Sequence, residues 1–294
     1  MRLLSIVICI AFFSLITPAF AELDVDVIVD GLNNPWEIVF GPEGEIFFTE
    51  RDGRIWKIEN FEEAKVIETF PKSGSMEGGT LGLALHPDFK NNQKIYIYQT
   101  NLELEFFQNK VFSFTVNGDA LTDKQVIIDG IPGAPWHDGG RINFGPDGKL
   151  YITTGDAINP GWSQDLSSLA GKILRINPDG TIPDDNPFDS SPIFSYGHRN
   201  PQGIAWSDGG LFVSSEHGPS GEMGYGHDEI NVIVKGKNYG WPKVVGDSSD
   251  DIFVNPIIHS GQSTWAPSGM VFFNSDKISS FEGKFLVGAL RGQH

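Results

Sequence analysis

Hydrophobic and polar residues alternate along short stretches of this chain, and turns rich in Gly, Pro and Asp close each stretch. The clearest case is residues 136–156, WHDGGRINFGPDGKLYITTGD, in which two alternating runs of strand length flank the turn GPDG. Alternation with a period of two is typical of a strand, and a Pro-Asp-Gly turn between two such runs indicates a β-hairpin. The segment therefore predicts two antiparallel strands.

The same hairpin pattern recurs along the chain. Its copies span residues 34–51, 78–100, 136–156, 200–218 and 266–292. Four-stranded units that repeat at about 40 to 50 residues or more are typical of β-propellers. We therefore predict an all-β propeller, with outer strands at residues 53–59, 64–70, 110–116, 124–129, 171–177 and 229–234. We also expect a leading strand at residues 23–32 and a short helix at residues 163–169.

In such an architecture, the residues before the first strand and after the second strand of each hairpin lie on one face, around the central channel. That face collects most of the polar residues that could carry chemistry, namely Glu50, Arg51, Glu77, Gln99, His137, Asp138, Asp156, Arg199, Asn200, Glu216, His217, Thr264 and Arg291. Function is therefore expected at this mouth of the channel.

Composition and charge restrict the possible partners. The 294 residues include 35 Gly and 18 Pro, and the formal net charge is −17. Gly and Pro without long runs of either fit many tight turns rather than disorder. The strong negative charge argues against nucleic acid or an anionic membrane as a partner.

The N-terminus has the pattern of a secretory signal. Arg2 precedes an apolar stretch at residues 3–16, and Ala19 and Ala21 form a small-x-small cleavage site. The alternative is a membrane anchor, but the apolar stretch is shorter than the roughly 20 residues that cross a bilayer. We therefore expect a signal peptide at residues 1–21 and an exported propeller domain at residues 22–294, periplasmic or extracellular. The only cysteine, Cys9, lies in the signal, which excludes a disulfide scaffold.

Two groups at the predicted mouth could take part in a reaction. His137 stands beside Asp138, and an imidazole whose tautomer is held by a carboxylate can act as a general base. Taken alone, the residue is better explained as a turn histidine without a role. Arg199 beside Asn200 could hold carboxylate or quinone oxygens with a bidentate fork, or could form an ordinary surface salt bridge.

A glycine-rich loop at residues 215–229, SEHGPSGEMGYGHDE, could bind a cation. Its free carbonyl groups and its carboxylates, Asp228 and Glu229 among them, are the oxygen ligands that calcium prefers. The loop lacks the spacing of an EF-hand, and no Cys/His set has zinc spacing. Solvated acids without a metal remain the alternative.

Several long motifs in succession carry a family resemblance. HDGGRINFGPDGKLYITTGD, LAGKILRINPDGTIPDDNPF, GHRNPQGIAW and SEHGPSGE followed by DEINVIVKGKNYGWP together resemble the soluble PQQ-dependent sugar dehydrogenases, the glucose/sorbosone dehydrogenase family. The resemblance covers residues 32–294. It implies a six-bladed β-propeller, PQQ and Ca²⁺ as cofactors, and oxidation of the C1 hydroxyl of an aldose to a lactone, with electrons passed to an external acceptor.

The resemblance also implies roles for individual residues. The catalytic base of the family matches His137, and the PQQ contacts match Glu77, His137, Arg199, Asn200, Thr264 and Arg291. The carbonyl groups that hold the PQQ-associated calcium match Gly218 and Pro219. A second, structural calcium site matches Glu229, the carbonyl of Tyr239, and Asp247.

The chain departs from the family pattern at two places. Glu77 stands where the family often has glutamine, and an ionised glutamate would repel the carboxylates of PQQ. The family also continues beyond the strand that ends near Arg291, with further basic PQQ contacts. We therefore expect a C-terminally truncated propeller whose closing blade is incomplete.

Two other functions remain open at this point. A calcium-dependent hydrolase such as a lactonase could use the same propeller frame, and a non-catalytic extracellular binding propeller would need no base at all. Arg199, Asn200 and Arg291 favour the dehydrogenase, because a lactonase calcium site takes carboxylates and amides rather than two guanidinium groups.

Overall fold

The computed structural model describes residues 26–71, 75–219 and 226–291. The expected signal peptide and the first residues of the expected leading strand lie outside this part. The remainder of that leading strand is wrong, because residues 26–32 form no strand. Val27 is 78% exposed, so the alternating apolar residues of this segment do not pack against the core.

The predicted hairpins form the inner strands of antiparallel sheets. The first sheet contains β1 (Pro35–Phe40), β2 (Ile46–Glu50), β3 (Arg54–Ile58) and β4 (Lys65–Thr69), and the second β5 (Thr80–Leu85), β6 (Lys94–Glu103), β7 (Phe106–Asn117) and β8 (Ala120–Pro132). The third contains β9 (Ile142–Phe144), β10 (Leu150–Thr154), β11 (Lys172–Ile176) and β12 (Ile193–Tyr196), and the fourth β13 (Pro201–Trp206), β14 (Phe212–Glu216), β15 (Glu229–Val232) and β16 (Ile258–His259). The fifth contains β17 (Pro267–Phe273) and β18 (Lys284–Ala289).

The fold is an all-β propeller, and the inner strands of consecutive sheets contact each other in sequence order. Residues of β1, β5, β9, β13 and β17 line one common channel. The described residues form four four-stranded blades and one two-stranded sheet, so the expected six blades are not found among them. Each sheet is built on one hairpin that turns at Pro or Gly. The described residues contain five such hairpins and therefore form five sheets.

The core lies between the blades, because side chains alternate between the two faces of each sheet. In β6, Ile95 and Ile97 pack against the first blade, whereas Tyr96 and Tyr98 pack against the third. Tyr151 of β10 similarly joins a cluster with the fourth blade. Strands that are buried on both faces are nearly continuous in apolar residues, which explains runs such as IFF at the start of β2.

The shortest elements were the least predictable features. A four-residue helix, α1 (Phe89–Asn92), lies in the β5–β6 turn, and 3-10 helices occupy Pro160–Gln164 and Asp276–Ile278. The helix expected at residues 163–169 is therefore wrong in position and type, since Pro160 starts the turn earlier. The sequence did not predict β12 and β16, which have only four and two residues.

A buried arginine, Arg141, connects three blades below the mouth of the channel. Nε of Arg141 donates to the carbonyl oxygen of Gln202 at 2.9 Å, and Nη1 forms an ion pair with Glu37. The guanidinium also lies 3.9 Å from the ring centre of Trp36. These contacts join the first, third and fourth blades. Among the described residues, no helix is long and apolar enough to cross a membrane.

Candidate active site

Two glycines allow the turn before β9 to approach the end of β10. Gly139 has φ +65°, and a Cβ there would lie 2.7 Å from the carbonyl oxygen of Thr153. A Cβ on Gly155 would collide with the carbonyl oxygen of His137. Because neither position carries a side chain, the turn can bring His137 beside Asp156, which follows Gly155. His137 itself adopts φ +65°, a backbone conformation that is uncommon outside glycine and often found at functional sites.

His137 lies between a carboxylate and a guanidinium. Its Nδ1 is 2.7 Å from Oδ1 of Asp156, and its Nε2 is 2.9 Å from Nη2 of Arg199. The Asp156 side chain is fully buried, whereas the His137 side chain is 17% exposed. The imidazole therefore has one edge fixed in the protein and remains open to the channel mouth.

The partners of His137 determine its tautomer. A guanidinium N–H can only donate, so Nε2 of His137 accepts and carries the lone pair, while Nδ1–H donates to Asp156. A neutral imidazole in this tautomer is a base that can take a proton at Nε2. Asp156 is positioned to stabilise the imidazolium that would result.

Asp138 is not the carboxylate that holds His137, contrary to the arrangement suggested by their adjacency in sequence. Its Oδ1 accepts hydrogen bonds from Nδ2 of Asn109 at 3.0 Å and from the backbone N–H of Ala134 at 3.1 Å. Burial raises the pKa of Asp138 to about 6, although these hydrogen bonds oppose the shift. The carboxylate partner of His137 is Asp156, which follows the end of β10.

Glu77 and Asn200 hold the backbone around the base. Oε2 of Glu77 accepts from the backbone N–H of His137 at 2.8 Å and from Nδ2 of Asn200 at 3.2 Å. Oδ1 of Asn200 accepts from the backbone N–H of Gly139 at 3.0 Å. The glutamate at the position where the family often has glutamine therefore accepts two hydrogen bonds within the protein.

Arg199 is held by several groups at once. Its Nη1 donates to the carbonyl oxygen of His217 at 3.2 Å, and its guanidinium lies 5.5 Å from the ring centre of Trp241. Burial lowers the pKa of Arg199, against the attraction of Asp156 and Glu216. Guanidinium pKa values are so high that the group stays cationic.

Trp241 contributes to the site in a way the sequence did not suggest. Its indole Nε1 donates to Oδ2 of Asp156 at 2.8 Å, and Oδ1 of Asp156 also accepts from the backbone N–H of Ile158 at 2.9 Å. Both oxygens of Asp156 are thus oriented by donors besides His137. Carboxylates oriented in this way hold an imidazole in a fixed position.

A buried lysine fixes the loop that follows Asp156. Nζ of Lys172 donates to the carbonyl oxygens of Trp162 and Ala170, each at 2.7 Å. Burial lowers the pKa of Lys172 to about 7. Both contacts lie within residues 160–171, so the lysine fastens this irregular segment next to the base.

Among the described residues, no hydrogen bond or ion pair joins Thr264 or Arg291 to the His137 cluster. The chain at Thr264 is fixed by Asp228, whose Oδ2 accepts from the N–H groups of Trp265 at 2.7 Å and Ala266 at 2.9 Å. The backbone N–H of Arg291 donates to the carbonyl oxygen of Trp265 at 3.0 Å, and the side chain is exposed. The two predicted contacts are therefore neighbours of each other at the fifth blade.

A second polar cluster surrounds a small void behind Arg199. Four of the predicted calcium ligands line this void together with Glu216, namely Gly218, Pro219, Glu229 and Tyr239. Burial and the neighbouring Glu216 raise the pKa of Glu229 to about 8. Two acids at one void disfavour simultaneous ionisation unless a cation is present.

Other contacts define the edges of this second cluster. Glu216 accepts from the backbone of Arg199 and Asn200, and its Oε2 is 2.9 Å from Nδ1 of the buried His198. Asp247 lies outside, 70% exposed and 3.4 Å from Nε2 of His259. Within the described residues, no three His, Cys, Asp or Glu side chains form a metal-binding group, so a metal here would also need carbonyl ligands.

The fold and this site define a class of protein, an all-β propeller with a polarised histidine at the channel mouth. A family model described as glucose/sorbosone dehydrogenase matches residues 32–294. The chain therefore belongs to the glucose/sorbosone dehydrogenase family, and the resemblance found in the sequence is confirmed.

Individual relatives agree with this assignment. Quinoprotein glucose dehydrogenase B of Acinetobacter calcoaceticus is 36% identical over 78% of this chain and 54% of its own length, so the chain spans about half of that relative. An oxidoreductase (glucose dehydrogenase) from Thermus thermophilus has 41% identity and a TM-score of 0.85, covering 92% of this chain and 81% of that one. The PQQ-bound aldose sugar dehydrogenase of Streptomyces coelicolor has 35% identity and a TM-score of 0.82, covering 91% and 78%.

Proposed function

We propose that this protein is a PQQ- and Ca²⁺-dependent dehydrogenase that oxidises the C1 hydroxyl of an aldose to the lactone. The observation that carries the proposal is the environment of His137, whose Nδ1–H is held by the buried Asp156 and whose Nε2 carries the lone pair, which accepts from Arg199. Family membership supports sugar oxidation, and the PQQ-bound relative from Streptomyces supports the cofactor.

The protein's own residues would handle the proton of the reaction. Nε2 of His137 takes the C1 hydroxyl proton, and Asp156 stabilises the imidazolium that forms. Arg199, which donates to Nε2 at 2.9 Å in the free protein, would donate to an oxygen of the bound reactants once the substrate hydroxyl occupies that nitrogen. PQQ would supply the acceptor for the hydride that leaves C1.

The polar groups at the mouth fit PQQ, a planar quinone with three carboxyl groups. A cavity of about 290 Å³ lies there, lined by residues including Arg51, Glu77, Gly139 and His217. Its size is close to the lower end of ligand pockets, roughly 300–1,000 Å³. Buried polar atoms without partners, Nε of Arg51 and Nε2 of His217, belong to residues that line it. Arg199 and Asn200 would hold quinone oxygens from the adjacent wall.

The second cluster fits calcium by the chemistry of its donors. Calcium takes six to eight oxygen ligands from carboxylates and carbonyl groups, and Glu229, Glu216 and the carbonyl groups of Gly218, Pro219 and Tyr239 offer such oxygens at one void. A cation there would remove the repulsion between the two carboxylates. Bound calcium would act as a Lewis acid towards a nearby carbonyl oxygen.

Export and the electron acceptor belong to the same proposal. The apolar stretch at residues 3–16 and the Ala19-x-Ala21 site support export to the periplasm or the exterior. An exported dehydrogenase must pass its electrons to an external acceptor. The excess of negative charge, −17, favours acceptors that are not anionic.

Reconstitution tests the proposed function. Purified protein is loaded with PQQ and Ca²⁺, supplied with an artificial electron acceptor, and assayed against a panel of aldoses, with lactone identified as the product. Parallel assays of lactone hydrolysis without PQQ examine the hydrolase. Aldose-dependent reduction of the acceptor is expected, whereas hydrolysis without PQQ, or no turnover with any aldose, would contradict the proposal.

A further inference from the structure

The cavity at the channel mouth contains one arginine that the family resemblance did not assign. Arg51 follows β2 and lines the cavity with Glu77, Asp138 and His217. Its Nη2 donates to the carbonyl oxygen of Met76, but within the described residues its buried Nε has no hydrogen-bond partner. Buried donors without partners are rare in folded proteins. This one is therefore available to a group that binds in the cavity.

The backbone holds Arg51 in place. Its N–H donates to the carbonyl oxygen of Asn34 at 3.2 Å, and its own carbonyl oxygen accepts from the N–H of Thr80 at 3.3 Å. A Cβ on Gly79 would collide with the carbonyl oxygen of Arg51, so the two segments are in close contact. The guanidinium is thus presented from a fixed backbone.

Among the described residues that line the cavity, Arg51 is the only arginine or lysine. Burial raises the pKa of Asp138 to about 6, so burial disfavours the charged form of this carboxyl group. The carboxylate of Glu77 already accepts hydrogen bonds from His137 and Asn200, and it forms no ion pair with Arg51 in the part of the chain that the structure describes. Arg51 therefore keeps an unused cationic donor on the cavity.

We propose that Arg51 binds a carboxylate of the cofactor through its free Nε–H, and thereby offsets the repulsion that Glu77 exerts on that anion. The inference rests on the proposed function, since PQQ is the carboxylate ligand that function requires. Arg51 lies on the first blade, and it would give PQQ a contact on the side of the cavity away from Arg199. A charged hydrogen bond of this kind contributes specificity for the acid over its esters.

Binding measurements test this proposal independently of turnover. The dissociation constants of PQQ and of its trimethyl ester are measured in calcium buffer for the wild type, Arg51→Gln and Arg51→Lys. Lys65→Gln serves as a charge-matched control, because Lys65 lies on an outer strand of the same blade and pairs with Asp119 at 2.6 Å. Thermal melting confirms that each variant is folded.

The expected result is a loss of PQQ affinity of about tenfold or more in Arg51→Gln, with little change in affinity for the ester or in Lys65→Gln. Arg51→Lys is expected to lose PQQ affinity several-fold, because an ammonium group does not reproduce the Nε–H. If Arg51→Gln does not fold, Arg51→Lys alone tests the proposal. Wild-type affinity for PQQ in either folded variant, or equal losses for acid and ester, would overturn the role of Arg51 while leaving the proposed function intact. A wild type that binds no PQQ would overturn both.

Discussion

The two polar clusters at this face of the propeller differ in which charged groups lie next to each other. In the cluster around His137, a carboxylate, an imidazole and a guanidinium alternate, and each charged group faces an opposite or neutral partner. In the cluster around Glu229, two carboxylates share one small void, and the pKa of Glu229 rises to about 8. The clusters are neighbours, since Arg199 and Glu216 contact each other through the backbone N–H of Arg199.

The difference indicates different tasks. A charge-balanced cluster needs no added ion to hold its geometry, so its groups are pre-oriented for proton transfer. A void shared by two carboxylates keeps a proton that a cation could replace. We therefore infer that the first cluster performs chemistry through its own side chains and that the second acts as a metal-dependent support. The predictions below separate these roles.

Replacement of the carboxylate behind the base should have the largest effect. In Asp156→Asn the amide can donate to Nδ1 of His137, which would leave the proton on Nε2, where it blocks base catalysis. Turnover of the PQQ-loaded protein is expected to fall by roughly 10²- to 10⁴-fold, as measured by acceptor reduction with an aldose.

The matched control for this variant is Asp208→Asn, a change in the exposed turn between β13 and β14 of the fourth blade, at the end of that hairpin opposite Arg199, which should leave turnover unchanged. Equal turnover in Asp156→Asn and the wild type would show that the balanced cluster does not perform the proton transfer.

Calcium removal should affect stability in a pH-dependent way. Because the pKa of Glu229 is raised from 4.5 to about 8, the unfolded chain releases a proton between these pH values that the folded protein keeps. Without calcium, the free energy of unfolding should therefore fall as the pH rises from about 4.5 to about 8. Bound calcium replaces the proton, so its stabilising effect should be greatest above about pH 8. Melting temperatures with calcium and with a chelator measure this.

Two variants sharpen the calcium prediction. Glu229→Gln should remove most of the pH dependence and most of the stabilisation by calcium. Asp247→Asn should shift the melting temperature by only about 1 °C, because this side chain is 70% exposed and its ion pair is weak. Calcium stabilisation that depends on Asp247 and not on Glu229 would place the metal elsewhere.

The smallest effect is expected at the link between the clusters. Trp241→Phe keeps an aromatic ring near Arg199 but removes the donor to Oδ2 of Asp156. Loss of one hydrogen bond to a charged group costs about 1.5–3 kcal/mol, part of which should appear as a loss of roughly tenfold in turnover. A steady-state comparison of kcat and KM checks this, and an unchanged kcat would mean that Asp156 needs no second support.

The sequence predicted the hairpins, the propeller and the mouth as the location of the site, because period-2 alternation and turn chemistry are local properties. It also brought His137, Glu77, Arg199 and Asn200 to one face, and the structure joins them in one hydrogen-bonded cluster. Those residues lie next to strand ends, where topology alone fixes the position.

Long-range partnerships could not be predicted in the same way. Asp156 was expected at the mouth, but its pairing with His137 depends on the close approach that Gly155 permits. Trp241 reaches Asp156 from 85 residues further along the chain, and its motif carries no local signal for that contact. The strand β16 has two residues, too few for any alternation to be visible.

The most direct test of the central claim is a single-turnover measurement on the base itself. Wild-type protein and His137→Gln are loaded with PQQ and Ca²⁺, mixed with an aldose in the absence of an acceptor, and followed by the absorbance of the bound cofactor. The account predicts a PQQ affinity that is largely intact and a rate of cofactor reduction that is at least about 10²-fold lower in His137→Gln. Equal rates of reduction in the two proteins would contradict the assignment of His137 as the base.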